Sequence, residues 1–318
     1  MNSTYVVGID VGGQTSKIGV VDARGSVLAQ TVIRTDTYED IEPYIAELAD
    51  AVNKVIKDAG VEGLVRGIGV GAPNGNYYTG TIENAPNLPW GRSTVHFSKL
   101  LSKAMNGLPV ALTNDANAAA VGEMTYGAAR GMKNFIMITL GTGVGSGIVI
   151  NGEVVYGHDG FAGELGHTTA VRNNGRACNC GKSGCLEAYC SAMGVALTAR
   201  EWLELTDDPS VLRNLYTIAS KDVYDAAKDG DKLALKIFEF TGKILGRSFA
   251  DFIAFSAPEA IVLFGGLARA KEFLTAPIED AMNANLLPLW KNKVKIVYSQ
   301  LKESDAAILG ASALAWEL

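Results

Sequence analysis

Two stretches of this chain follow one plan, and that repetition constrains the fold more than any other feature. "GIDVGGQTSKIGVVDARGSVLAQ", residues 8–30, reads as strand, glycine-rich turn, strand, tight turn, strand. "ITLGTGVGSGIVINGEVVYG", residues 138–157, repeats that order about 130 residues later, a spacing far too long for a solenoid. An internal duplication of a three-stranded meander explains the match; two unrelated meanders would also produce it. Between and after them the spacing turns helical. Ile41, Ile45, Leu48, Val52, Val55 and Ile56 recur at three- and four-residue steps, which predicts a helix over 37–59 stopped by Gly60. Residues 185–204, 223–228, 231–256 and 271–283 carry the same spacing, "EAIVLFGGLA" and "VKIVYS" read as strands, and residues 305–318 close as a helix. Strands alternating with helices imply α/β layers.

Composition narrows the function classes. A chain of 318 residues with 48% hydrophobic and 19% charged residues is long enough for two domains and ordinary for a globular protein. Its net charge of -6 offers no basic footprint for nucleic acid or an anionic membrane. The first ten residues do not read as a signal peptide, and the most apolar stretch, "FIMITLGTGVGSGIVI", is interrupted by glycines. A cytoplasmic protein without membrane or nucleic-acid partners is expected.

Three turns share one chemistry: "DVGGQTSK", "LGTGVGSG" and "FGGLA". Glycine lets the backbone approach a ligand, and successive N–H groups then converge on an anion such as phosphate. The hydroxyls of Thr15, Ser16, Thr142 and Ser146 could add donors, and Asp10 at a strand end could hold Mg²⁺ directly or through water. A plain hairpin is the competing reading of each turn, since neither G-x-x-x-x-G-K-[ST] nor a G-x-G-x-x-G opening a helix is present.

Asp115, in "TNDANAAAVGE", follows the strand "LPVALT" and opens an alanine-rich helix. A carboxylate there suits a general base in phosphoryl transfer. It equally suits helix capping, as do Asn114 and Asn117.

"CNCGKSGC" places three of the four cysteines in eight residues, and "FAGELGH" sets His167 just upstream. His167, Cys178, Cys180 and Cys185 supply four soft ligands within 19 residues, a set that tetrahedral Zn²⁺ accepts. A C-x-C redox pair would leave Cys185 and His167 unexplained, and a disulfide is disfavoured in a cytosolic chain. Cys190 reads as a packing residue, and His96 and His158 as incidental. Glu164 lies three residues before His167, and Glu187 two residues after Cys185.

Together these motifs resemble the ROK family of repressors, open reading frames and sugar kinases, over essentially the whole chain. "GELGH" followed by "CNCGKSGCLE" looks like the family's zinc signature. "DVGGQTSK" and "LGTGVGSGI" resemble its two phosphate motifs, "FGGLA" its adenosine-side turn, and "NAPNLPW" a sugar-site segment. One departure stands out: Gln14 occupies the usual threonine position of the first motif, with Thr15 beside it.

The resemblance implies an actin-like, duplicated two-domain ATPase fold in which ribonuclease-H-like lobes flank a cleft. The lobes would be residues 1–114, joined by a returning C-terminal helix 303–318, and residues 115–302, carrying the zinc. The family's repressors place a helix-turn-helix ahead of the first strand; here that strand starts near residue 5, so a kinase is expected. Carried over by motif, Asp115 is the catalytic base, and Asn87, Asn114, Glu164, His167 and Glu187, with the backbone of Gly75, hold the sugar. Asp10, Gly13, Thr15, Thr142, Gly143, Gly265 and Gly266 surround MgATP. His167, Cys178, Cys180 and Cys185 hold a structural zinc. The implied reaction is ATP-dependent phosphorylation of the 6-hydroxyl of glucose, a step of carbohydrate metabolism and glycolysis, by a homo-oligomer, dimer or tetramer. An N-acetylhexosamine kinase, a fructokinase and a catalytically inactive sugar sensor are the alternatives.

Overall fold

The computed structural model describes residues 4–318. The chain forms β1 (Tyr5–Val11), β2 (Thr15–Val21), β3 (Val27–Arg34), α1 (Ile41–Asp58), β4 (Val65–Gly71), the short pair β5 (Gly75–Asn76) and β6 (Thr81–Ile82), α2 (Phe97–Ala104), β7 (Val110–Thr113) and α3 (Asp115–Tyr126). It continues with β8 (Phe135–Leu140), β9 (Val144–Ile150), β10 (Glu153–Val154), α4 (Glu187–Cys190), α5 (Ala192–Leu205), α6 (Ser220–Lys228), α7 (Lys232–Ser256), β11 (Ala260–Phe264), α8 (Lys271–Asn285), β12 (Lys295–Tyr298) and α9 (Glu303–Leu314).

Two five-stranded sheets repeat one order. The first runs β3-β2-β1-β4-β7 and the second β10-β9-β8-β11-β12. In the first, β1 pairs antiparallel with β2 and parallel with β4, which pairs parallel with β7. In the second, β10 pairs antiparallel with β9, and β11 pairs parallel with both β8 and β12. An antiparallel meander followed by two parallel strands therefore occurs twice, as the repeated sequence pattern anticipates.

The first compact unit comprises the described residues up to Met132, together with Gly147–Gly163 and Ser299–Leu318. Its core lies under α1, whose Tyr44, Leu48, Val52 and Val55 face the sheet residues Val7, Ile9, Ile18 and Val70. Tyr44 also stacks on Trp90, with ring centroids 5.0 Å apart. Each large side chain buried there contributes about 1.5–3 kcal/mol. On the opposite face the backbone itself packs. A Cβ at Gly8 would fall on the carbonyl of Ile308, and one at Gly69 on that of Ala311, so α9 lies directly against β1 and β4. Gly122 and Gly310 let α3 and α9 cross just as closely; a Cβ on Gly122 would sit 2.7 Å from the Gly310 Cα. This crossing keeps α3 in the first unit, which extends past the boundary expected at residue 114. Gly147 of β9 likewise leaves room for Ala120 of α3.

The second unit comprises Lys133–Ser146 and Glu164–Tyr298. Its core gathers Phe238, Phe249 and Ile253 of α7 with Ile261 and Leu263 of β11 and Leu274 and Ile278 of α8. The helix expected over 185–204 is interrupted. Ser191 adopts extended backbone, and its hydroxyl accepts the Gly194 N–H at 3.0 Å, capping α5 and separating it from α4.

Candidate active site

In the first unit the glycine turn is short. Val11 ends β1, the Gly12 N–H donates to the Thr15 carbonyl at 3.1 Å, and β2 starts at Thr15. Gly13 lies against the loop 84–90: a Cβ there would approach the Asn87 carbonyl oxygen to 2.8 Å. Gln14 is exposed, and its carbonyl accepts the Thr35 N–H at 2.9 Å. The departure from the family pattern thus falls where the backbone, not the side chain, does the anchoring.

Ser16 is not available as a phosphate donor. Alternation along β2 turns Thr15 and Lys17 away from the core and Ser16 into it. Its hydroxyl hydrogen-bonds Thr35 Oγ1 and Tyr44 Oη, each at 2.7 Å.

Asp10, the penultimate residue of β1, lies opposite Lys17 of β2 and Gly71 of β4. Burial first, and then the charge of Asp115, raise its pKa to about 6 against the opposing pull of Lys17. The β7–α3 junction supplies Asp115. Asn114 caps the helix, its Oδ1 accepting the Asn117 N–H at 2.7 Å, while Asp115 Oδ1 accepts the Ala116 N–H at 2.9 Å. Asp115 is exposed at its surface, yet the protein around it withholds enough water to raise its pKa from the ordinary carboxylate value. Gly75 packs on this junction; a Cβ there would fall on the Thr113 carbonyl.

In the second unit Thr142 is exposed at the tip of the second glycine turn, and Gly143 sits against Glu187. Glu187 Oε2 accepts the Val144 N–H at 2.9 Å. Ser146, like Ser16, points inward: it is buried and its Oγ accepts the Leu165 N–H at 3.0 Å. The third turn adjoins the second. Gly265 has φ +104°, and a Cβ would sit 2.6 Å from the carbonyl oxygen of Leu140, so that position requires glycine. Gly266 opens a short 3₁₀ turn through Ala270 and has free space at its Cβ position.

The thiols of Cys178, Cys180 and Cys185 and one ring nitrogen of His167 all lie within 4.8 Å of one another. Cys180 Sγ is 3.6 Å from Cys185 Sγ, and Cys178 Sγ is 3.7 Å from His167 Nδ1. Zinc with Zn–S of about 2.3 Å and Zn–N of about 2.0 Å would separate its tetrahedral ligands by roughly 3.5–3.8 Å, so the set fits. The loop turns through Gly181 at φ +89° and Gly184 at φ +79°, both in the left-handed region. The cysteines are free thiols, which removes the disulfide alternative. Cys190 is buried in the core, as expected of a packing residue. Glu164 precedes the 3₁₀ turn Leu165–His167, and its carbonyl accepts the His167 N–H at 3.1 Å.

One residue escaped the sequence reading. Arg176 donates to Glu201, to the Ala188 carbonyl at 3.1 Å and to the Gly194 carbonyl at 3.3 Å, and lies 4.5 Å from the ring centroid of Tyr189. It binds the cysteine loop to α4 and α5. A lone arginine before a cysteine loop carries no periodic signal that would single it out.

The ROK family profile matches residues 6–317. The chain belongs to the ROK family. A glucokinase of Halalkalibacterium halodurans is 36% identical over 98% of this chain and 94% of its own. Among solved structures, a ROK hexokinase from Thermus thermophilus matches with a TM-score of 0.83 at 31% identity, covering 99% of this chain and 98% of that one. A ROK glucokinase from Streptomyces griseus, solved with glucose and AMPPNP, matches with a TM-score of 0.79 at 31% identity, covering 99% of this chain and 100% of that one. The family also includes regulators: a xylose repressor of Caldicellulosiruptor bescii is 29% identical over 97% of this chain and 77% of its own length. The two repeated sheets are thus the two halves of the ROK actin-like fold.

Proposed function

We propose that this ROK protein is an ATP-dependent hexose kinase that phosphorylates the 6-hydroxyl of glucose. The observation that carries this reading is the carboxylate pair Asp10 and Asp115: Asp10 pairs with Gly71 in the sheet, a Cβ at Gly71 would lie 3.6 Å from the Asp115 Cα, and the charge of Asp115 helps raise the pKa of Asp10. Asp115 takes the proton of the sugar hydroxyl as it attacks the γ-phosphorus, and its raised pKa makes it a better acceptor than an ordinary carboxylate. Asp10 would hold Mg²⁺, which neutralises charge on the transferred phosphoryl group. Thr15, Gly13, Thr142, Gly143, Gly265 and Gly266 line the nucleotide side. Asn87, Asn114, Glu164, His167 and Glu187, with the Gly75 backbone, orient the sugar.

His167, Cys178, Cys180 and Cys185 would hold zinc in a closed, structural site. With Nδ1 turned to the thiols, Nε2 of His167 is left to face a sugar hydroxyl. The identity to glucokinases and hexokinases supports glucose over other hexoses. The family resemblance implies a homo-oligomer acting in the cytoplasm. Among the described residues no helix is long and apolar enough to cross a membrane.

Coupled ADP release over a panel of glucose, mannose, fructose and N-acetylhexosamines tests the reading. Turnover fastest with glucose is the expected result, and turnover confined to an N-acetylhexosamine or fructose would move the substrate assignment. The resemblance to a xylose repressor favours one other reading, a sugar sensor without catalysis. Sugar binding with no ADP release from any member of the panel would establish it.

A further inference from the structure

Glu187 stands between two parts of the second unit that have separate jobs in the proposed kinase. Its Oε2 accepts the Val144 N–H at 2.9 Å, at the end of the turn Gly141–Gly143. Its Oε1 lies 3.8 Å from Cys178 Sγ, one of the four clustered metal-ligand candidates. Gly143 completes the fit, because a Cβ there would fall on the same Oε2. A second tie runs alongside: the Ala192 N–H donates to the Gly141 carbonyl at 2.8 Å. The start of α4 is fixed in turn beside the ligand candidates, since Leu186, next to Cys185, donates its N–H to the carbonyl of Thr168, next to His167, at 3.0 Å. The metal loop therefore places α4, and α4 places the glycine turn.

We propose that Glu187 is a positioning residue for the phosphate-side turn Thr142–Gly143, in addition to any contact it makes with sugar. This deepens the kinase reading and rests on it. A hydrogen bond from a backbone N–H to a carboxylate is charge-assisted and short, and it fixes the direction of the peptide plane next to Gly143. A glycine turn without such an anchor samples many conformations, few of which aim their N–H groups at one phosphate. The carboxylate must also reach: shortened by one methylene, it keeps its charge but no longer meets Val144.

The test is binding of Mg·AMPPNP without any sugar, by calorimetry, to the wild type, Glu187→Asp and Glu187→Gln, with zinc content measured on each. Glu187→Asp keeps charge and loses reach, and is expected to bind nucleotide roughly tenfold more weakly with its zinc retained. Glu187→Gln keeps reach, its amide oxygen still accepting from Val144, and is expected to stay within about threefold of the wild type. Sugar affinity falls in both variants if the carboxylate also holds a hydroxyl, and it is read separately. Wild-type nucleotide affinity in Glu187→Asp would overturn the proposal and leave Glu187 serving the sugar alone. An equal loss in both variants would also overturn it, because charge rather than reach would then be what matters. A wild type that binds no nucleotide at all would instead remove the kinase reading, and this inference with it.

Discussion

Gly13 and Gly143 lie in the corresponding first turns of two copies of one meander, yet different groups stand behind them. In the first unit the neighbour is the backbone carbonyl of Asn87, carried on an irregular loop after β6. In the second it is the carboxylate of Glu187, carried on a helix start next to four clustered metal-ligand candidates. The repeated scaffold provides two similar turns, and the inserted segments make them chemically unequal. The first unit holds the carboxylate pair Asp10 and Asp115; the second holds the thiols and imidazole. The duplication explains the architecture, and the insertions explain the chemistry.

The sharpest way to break this division is at the first unit's carboxylate. Asp115→Asn should lower kcat by about 10²–10⁴-fold while sugar and nucleotide still bind, since asparagine serves equally well in the first turn of α3. Near-normal turnover would leave Asp115 only its contact with the Ala116 N–H at the start of α3. On the second unit's side, chelation of the metal or Cys180→Ser should weaken glucose binding by about 10–100-fold and nucleotide binding by less, with a lower melting temperature. Separate titrations of the two ligands decide it, and elemental analysis establishes whether zinc is the metal.

A smaller effect separates Asp10 from the rest of its unit. Its carboxyl titrates at about 6 in the fold against an ordinary 3.8. The folded state therefore holds an extra proton between these values, and stability falls as pH rises through them. Asp10→Asn should be more stable than the wild type by about 2–3 kcal/mol at pH 8 without Mg²⁺, and the gap should close by about pH 4. Urea unfolding across that range would show it; parallel curves would mean that burial does not charge the folded state this penalty. Least of all, Ser16→Ala and Ser146→Ala should each cost about 1–2 kcal/mol of stability and leave nucleotide affinity unchanged. A loss of nucleotide affinity in either would restore the hydroxyl to the phosphate site.

Those two serines also show where the sequence stops being legible. Both meanders and the apolar face of α1 could be read because they rest on periods of two and 3.6 residues. Ser16 and Ser146 read as phosphate donors because they belong to glycine-rich motifs; the alternation of β2 and β9 turns both inward. Strand phase carried that information, since Ser16 shares a face with Ile18 and Val20. The clustering of His167 with the three cysteines was readable from spacing, because ligand chemistry demands few residue types. The bond between Val144 and Glu187 was not: a backbone N–H has no signature in sequence, and its partner lies 43 residues away. The break at Ser191 was missed because a cap inside a helical pattern looks like an ordinary helical serine.

The close packing of α9 on Gly8 and Gly69 has a consequence for how the chain is made. Strands β1 and β4 leave the ribosome early, with a glycine-lined face that α9 later covers. That helix emerges after the whole second unit. The later-synthesised half is thereby free to close around its own core while the earlier half waits with one side of its sheet uncovered, a reversal of the usual N-terminal-first order. Chains truncated after Tyr298 and released should resist limited proteolysis across α7 and α8 while remaining open to cleavage in β1 and β4. Chains released after Leu314 should be protected in both. Early protection of β1 and β4 would show that the sheet closes without its last helix. Chaperones that hold exposed apolar surface would find their longest opportunity on this protein in that interval.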